Sequence, residues 1–286
     1  MQGASLLNVE VLQSQLGTQF FGVGDRLLYL PVVESTNTFA MQLAYERPEE
    51  GVVVLTDSQT AGKGRQGRRW VDVSGRNVLS SILLRPLFPP HLLVMVASLA
   101  VVDAIAETCG ISASIKWPND ILVADRKVAG ILIETSHDLK GDMIAILGIG
   151  VNVNGHIQEL SEQLSHQTSL VTTATTLETV CGYAVSREIF IAHLLQRIET
   201  DYLALQQEAS DNSSAVVLTH RPVSRLIRER WRGQLSTLGR TISVQQGDAV
   251  ISGVAEDVDD NGELLLRCHS GELVSITWGD VEYRTR

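Results

Sequence analysis

Apolar positions fall in short runs through the first half of the chain, and their lengths alternate between strand and helix. Arg26–Val33 (RLLYLPVV), Gly51–Thr56 (GVVVLT) and Asn77–Leu84 (NVLSSILL) read as strands. Between the first two, Glu34-Ser35-Thr36-Asn37 supplies capping residues ahead of Phe39, Met41, Leu43 and Ala44, which predicts a helix starting near Ser35 or Thr36. Leu92–Cys109 is apolar nearly all round at first and amphipathic later, with Gly110 as its stop. A helix that apolar must pack across the inner face of a sheet. Residues 113–117 and Ile121–Val123 read as strands flanking a Pro118-Asn119-Asp120 turn. Lys127–Glu134 and Ile144–Val153 are further strands, both with glycines inside apolar runs. Strands avoid glycine unless backbone or ligand approaches closely, so this pair predicts a sheet face kept clear for a flat ligand, with bulges as the plainer alternative.

The second half changes register. Residues 155–176 are polar and Ser/Thr-rich, a long loop. Ser186–Glu208 is amphipathic, with Ile189, Leu194, Ile198, Tyr202 and Leu205 assigned to one face. Residues 209–222 read as a linker, and Arg221–Arg232 as a basic helix ending at Gly233, with Arg225, Arg228, Arg230 and Arg232 forming a solvated face. From Leu238 onward, Thr241–Val244, Val250–Asp257, Leu264–Cys268 and Leu273–Trp278 are short β segments, with a hairpin signal at Asn261-Gly262. These predict a small barrel with no site signature of its own. The division expected is an N-terminal extension over 1–24, a large mixed domain over 25–235 and a barrel over 236–286.

Composition narrows the chemistry. Net charge is −10, from 23 cations against 33 anions among 286 residues, which argues against a general nucleic-acid surface. Cys109, Cys181 and Cys268 are odd in number and far apart, which argues against a disulfide framework or zinc site and suits a reducing cytoplasm. Met1–Phe20 lacks the pattern of a signal peptide, and the apolar stretch 92–102 is only eleven residues before Asp103, short of a membrane span.

Against that acidic background, Gly62–Trp70 holds three glycines and Lys63, Arg65, Arg68 and Arg69, with no acid. Glycines let backbone amides come close to a ligand, and interleaved cations neutralise anionic oxygens. The stretch suits a loop that wraps a phosphate when filled; a solvated basic hairpin is the plain alternative. Lys116 ends an otherwise apolar strand, where a bare ammonium is costly unless an anion meets it. Ser35, Thr36 and Asn37 either cap their helix or place polar atoms beside a ligand.

The order of these motifs resembles the biotin–protein ligase family. The resemblance rests on Glu34-Ser35-Thr36-Asn37, Gln59–Trp70, Lys116-Trp117-Pro118-Asn119-Asp120, Lys127–Glu134 and Gly148-Ile149-Gly150-Val151-Asn152, and covers about residues 26–283. It implies an α+β fold, a mixed β-sheet with packed helices of class II synthetase-like type followed by an SH3-like β-barrel. It implies two steps: biotin and ATP give biotinoyl-5′-AMP, then a lysine of the biotin carboxyl carrier protein takes the biotin. The implied biotin contacts are Ser35, Thr36, Asn37, Gln59, Lys63, Gly64, Arg65 and Lys116. Those to ATP are Gly62, Lys63, Arg65, Arg68, Lys116 and Asn152, with Mg²⁺ accompanying ATP. Lys116 and Arg65 are the catalytic pair. Lys63 stands where the family pattern has arginine, keeping the charge but losing the planar fork. The short stretch before the first matching strand points to a ligase-only form without a winged helix. No nucleic acid or membrane partner is expected, and a homodimer is left open. The competing readings are a lipoate or octanoate ligase or transferase, and a nucleic-acid-binding module using the basic loop as a clamp.

Overall fold

The computed structural model describes residues 6–46, 49–157, 173–211 and 222–284. The Ser/Thr-rich loop and the linker expected before the basic helix lie mostly outside them. A leading helix α1 (Val9–Gln15) is capped by Asn8, whose side chain accepts from the Val11 amide. Strand β1 (Leu27–Val33) runs into helix α2 (Thr36–Glu46), then β2 (Val53–Gln59) and β3 (Val78–Leu84) follow. Helix α3 (Pro90–Cys109) precedes β4 (Ser114–Lys116), β5 (Asp120–Val123), β6 (Arg126–His137) and β7 (Met143–Val151). Then come α4 (Leu177–Cys181), α5 (Arg187–Ser210) and α6 (Pro222–Gly233).

Strands β1 to β7 form one seven-stranded mixed sheet in the order β1-β2-β3-β7-β6-β5-β4, with β1 and β2 parallel and the other pairs antiparallel. Its two faces are covered unequally. On one, α3 and α5 bury Val53 and Leu55 of β2, Ile82 and Leu84 of β3, and Leu147 and Ile149 of β7 in the main core. The 20-residue α3 is long and apolar enough to cross a membrane, because it continues past Asp103. Twelve of its residues are buried, and it serves as the core helix. Gly110 ends it in the left-handed conformation, φ 67°.

On the other face, eleven-residue α2 spans only about 16 Å. It covers Val52, Val54, Leu83, Ile144 and Ile146 and stops there. The rest of that face is left for something else.

The α5 stripe is Leu194, Ile198, Tyr202 and Leu205, all buried, whereas Ile189 is 40% exposed. Ile189 lies five positions before Leu194, so it falls off the stripe and Phe190 and Ile191 turn inward instead.

The C-terminal strands β8 (Thr241–Gln246), β9 (Ala249–Val258), β10 (Leu264–Cys268), β11 (Leu273–Ile276) and β12 (Asp280–Tyr283) form an SH3-like antiparallel sheet, order β11-β10-β9-β8-β12. The Asn261-Gly262 turn joins β9 to β10, with Gly262 at φ 80°. Its Gly262 carbonyl accepts from Trp117 Nε1 at 2.9 Å, so the barrel docks on the segment that follows Lys116. The basic helix α6 is not merely solvated. Arg228 pairs with Asp260 at 2.6 Å and Arg232 with Asp257, while Arg230 reaches Asp103 and Asp201. Of the four arginines, Arg225 makes an exposed pair with Glu229, one turn along.

Candidate active site

The register of the sheet builds the site. Gly150 of β7 pairs with Gly130 of β6, Gly130 with Asp120 of β5, and Asp120 with Lys116 of β4. Paired residues point to the same side, so this row crosses four strands on the face that α2 leaves open. One row nearer α2, Gly148 pairs with Ser81 and Leu132, and next Ile146 pairs with Glu134.

The glycines are spaces, and the chain fills them itself. A Cβ on Gly150 would stand 2.5 Å from Trp70 Cε2, and one on Gly130 would stand 3.0 Å from its Cζ3. The cleared floor therefore holds a flat group, the indole of Trp70, and Asn37 occupies the space over Gly148. Lys127 Nζ lies 5.6 Å from the Trp70 ring centroid and 2.6 Å from Asp120. Trp70 Nε1 is shielded from solvent and has no hydrogen-bond partner among the described residues.

Residues 62–70 fold back as a small hairpin. Trp70 N donates to Gly62 O at 3.0 Å, Gly64 N donates to Arg68 O at 2.7 Å, and Lys63 bridges Arg69. Gly62 is required by proximity, since a Cβ there would meet Trp70 O at 2.5 Å. At the tip, Gln66 and Gly67 adopt positive φ, 55° and 72°. Beneath the hairpin lies a cleft of about 460 Å³, lined by residues 61–69 with Leu132 and Glu134.

Ser35, Thr36 and Asn37 are brought to the inner end of this face but are buried, each under 5% exposed. Gln59 Oε1 accepts from Thr36 N at 2.9 Å, and Ser81 Oγ donates to Asn37 Oδ1 at 2.6 Å while lying 2.7 Å from Thr36 Oγ1. Asn37 Nδ2 donates to Glu134 Oε2 at 2.8 Å, and Lys63 pairs with Glu134 Oε1 at 3.1 Å. Ser35 also caps α2, weakly, accepting from Thr38 N at 3.5 Å. Asn152 is not brought to the cleft: its side chain donates to Thr175 O.

The charges divide sharply. Lys63, Lys127 and Arg68 each meet a carboxylate, Arg68 that of Asp280 at the start of β12. Among the described residues, Arg65 hydrogen-bonds only the Asn119 amide oxygen, at 2.8 Å, and Lys116 has neither ion pair nor hydrogen bond. Burial pushes both below their ordinary pKa values. Asp280 and Asp120 act against this at Arg65, as do Asp120, Asp280 and Glu282 at Lys116. Two half-buried cations without a counter-ion make a receptor for an anion. They are linked through one turn, since Arg65 bonds Asn119 three residues beyond Lys116.

Sequence reasoning missed Trp70, Ser81, Glu134, Asn119 and Asp280 beside this cleft, and Tyr283, whose ring centroid lies 5.2 Å from Lys116 Nζ. Trp70 and Asn119 carried a readable signal, an aromatic closing a glycine loop and an amide in the turn after Lys116. Ser81, Asp280 and Tyr283 carried none.

Residues 29–154 match the biotin/lipoate A/B protein ligase family and residues 237–284 the biotin protein ligase C-terminal domain. The biotin--[acetyl-CoA-carboxylase] ligase of Paracoccus denitrificans is 33% identical over 246 residues, 84% of this chain and 94% of that protein. The chain belongs to the biotin protein ligase family. The bifunctional ligase/repressor BirA of Bacillus subtilis is also 33% identical, over 91% of this chain and 74% of its own length. Among solved structures, the biotin protein ligase from Aquifex aeolicus in complex with biotin and ATP superimposes with a TM-score of 0.71 at 26% identity, covering 91% of this chain and 99% of that one. The ligase fold and the SH3-like C-terminal sheet are thus those of the family.

Proposed function

We infer that this chain is an ATP-dependent biotin–protein ligase that acts through the open sheet face. The observation that carries the reading is the pair of uncompensated cations, Lys116 and Arg65, beside a glycine-floored cleft. A biotin carboxylate oxygen attacks the α-phosphorus of ATP and pyrophosphate leaves, giving biotinoyl-5′-AMP. Joining two anions builds negative charge at phosphorus, and preorganised cations aimed there lower that barrier. Lys116, on a rigid strand, and Arg65, on the hairpin tip, supply them. The amine of a carrier lysine then attacks the acyl carbon, loses a proton, and AMP departs. The hairpin over the cleft shields the mixed anhydride from water.

Ser35, Thr36, Asn37 and Gln59 are assigned to the polar ring of biotin, and Trp70 to the flat face beside the nucleotide. Its unpartnered Nε1 and its place between glycines and Lys127 support that role. Among the described residues no group of three His, Cys, Asp or Glu could hold a metal. Mg²⁺ is assigned to the ATP phosphates as part of the substrate. The acceptor proposed is the biotin carboxyl carrier protein of acetyl-CoA carboxylase, and the setting a cytoplasm in which the three free cysteines stay reduced.

The test is intact mass of a carrier domain incubated with the chain, ATP and either biotin or lipoate. A biotinyl gain that requires ATP is expected. A lipoyl gain without a biotinyl one would overturn the reading.

A further inference from the structure

Lys116 needs to be held in place without being neutralised. Its four-carbon stem is flexible, and a carboxylate partner would fix it only by cancelling the charge that the phosphate requires. The acids that face it are Asp120, Asp280 and Glu282, and the other cation is Lys127. Asp120 is occupied by Lys127 and Asp280 by Arg68. Glu282 faces the ammonium without an ion pair or hydrogen bond to it among the described residues, and the group in contact with it is an aromatic face: Lys116 Nζ lies 5.2 Å from the ring centroid of Tyr283, at the end of β12.

That ring is itself fixed. Arg240 Cζ lies 4.4 Å from the Tyr283 centroid, and the Tyr283 hydroxyl is 3.1 Å from Ser236 Oγ and 3.4 Å from Thr237 Oγ1. Ser236 N donates to Ile115 O at 2.8 Å, and Trp117 N donates to Thr237 Oγ1 at 2.9 Å. The segment that holds Tyr283 is thereby bonded to the residues immediately before and after Lys116.

We propose that Tyr283 of the barrel is a positioning residue for Lys116, holding its ammonium by the ring face so that position is fixed and charge is kept. A cation within about 6 Å of a ring face gains from the ring quadrupole without losing its charge. The barrel, which showed no site signature in sequence, thereby completes the catalytic site. The inference rests on the ligase reading.

The experiment measures pyrophosphate release with biotin and ATP for Tyr283→Phe, Tyr283→Leu and a series with phenylalanine of increasing fluorination incorporated at 283. Fluorination empties the ring face while leaving size nearly unchanged, so the protein stays folded. Tyr283→Phe should stay within about threefold of wild-type kcat, and Tyr283→Leu should fall roughly three- to thirtyfold with KM for biotin unchanged. The fluorinated series should fall stepwise between them. In a Lys116→Ala background, Tyr283→Leu should cost nothing further. A flat fluorination series, or an undiminished loss in the Lys116→Ala background, would mean Tyr283 acts only as packing and would overturn the proposal. Wild-type protein that releases no pyrophosphate would instead overturn the ligase reading itself.

Discussion

The two faces of the seven-stranded sheet solve the problem of charge in opposite ways. On the face closed by α3 and α5, Asp57 and Arg187 are 1% and 4% exposed and lie 2.6 Å apart. Asp57 also accepts from the Tyr29 hydroxyl and the Leu7 amide, so every oxygen has a donor. On the open face Arg65 and Lys116 are half-buried and make no ion pair among the described residues. A buried charge costs free energy unless paired, so a closed face spends its residues on pairing. An open face that leaves cations unpaired is destabilised until an anion arrives. Matched charge marks the part of the sheet that holds the fold, and unmatched charge the part we propose for the chemistry.

The widest break in that contrast comes from removing one charge on each side. Arg187→Ala leaves Asp57 buried without a counter-charge and should cost about 3–5 kcal/mol in urea unfolding. Adding Asp57→Asn should recover part of that loss by removing the stranded charge. Lys116→Ala or Arg65→Ala should slow pyrophosphate release roughly 100- to 1,000-fold without lowering the unfolding midpoint, since each removes an unpaired half-buried charge. If Lys116→Ala were as destabilising as Arg187→Ala, with full activity per folded molecule, the distinction between the faces would fail. The closed face also predicts a pH signature. Burial, then the hydrogen bond to Asp57 and its charge, push the Tyr29 hydroxyl from 10.0 up to about 12. The folded state therefore holds that proton where the unfolded chain has lost it. The stability is fully present below pH 10 and lost as pH rises towards 12, a slope that Tyr29→Phe should remove.

The closed face was readable in sequence and the open one only in part, for a physical reason. Periodicity reports burial, so Leu92–Cys109 and the strand runs declared themselves through apolar spacing. The glycine-basic loop declared itself by composition. What fills the gaps between glycines did not, because occupancy is set by tertiary contact: nothing local says that Trp70 lies over Gly130 and Gly150. Nor could spacing show that Arg68 reaches Asp280, 212 residues away, or that Tyr283 faces Lys116. Three arginines of α6 read as a solvated face for the same reason, since their partners Asp103, Asp201, Asp257 and Asp260 lie elsewhere in the chain.

A smaller perturbation sharpens the contrast by filling the floor of the open face. In Gly150→Ala the new methyl would sit 2.5 Å from Trp70, so the indole must shift. Overpacking of this kind costs about 1–3 kcal/mol, expected here as weaker binding of biotin or ATP in calorimetry. Unfolding should change less than binding does, because Trp70 belongs to the hairpin and not to the main core. Equal losses in both would place Trp70 in the structural part of the protein.

The smallest effect belongs to Lys63, the lysine in a position where the family pattern has arginine. It pairs with Glu134 Oε1 at 3.1 Å, with side chains 43% and 33% exposed. Exposed pairs contribute about 0–1 kcal/mol and weaken with salt, so Lys63→Ala should alter stability by no more than that. Lys63→Arg asks whether the missing fork matters. A guanidinium needs both carboxylate oxygens for bidentate contact, and Asn37 Nδ2 already holds Glu134 Oε2 at 2.8 Å. Oε2 keeps a lone pair for the second arm beside Asn37, so either cation at 63 stays paired with Glu134, and the rate of pyrophosphate release should change less than about threefold, the equivalent of roughly 0.7 kcal/mol. A tenfold gain would mean that residue 63 leaves Glu134 during the reaction and reaches the phosphate, which would move it from the group of matched cations to that of Lys116 and Arg65.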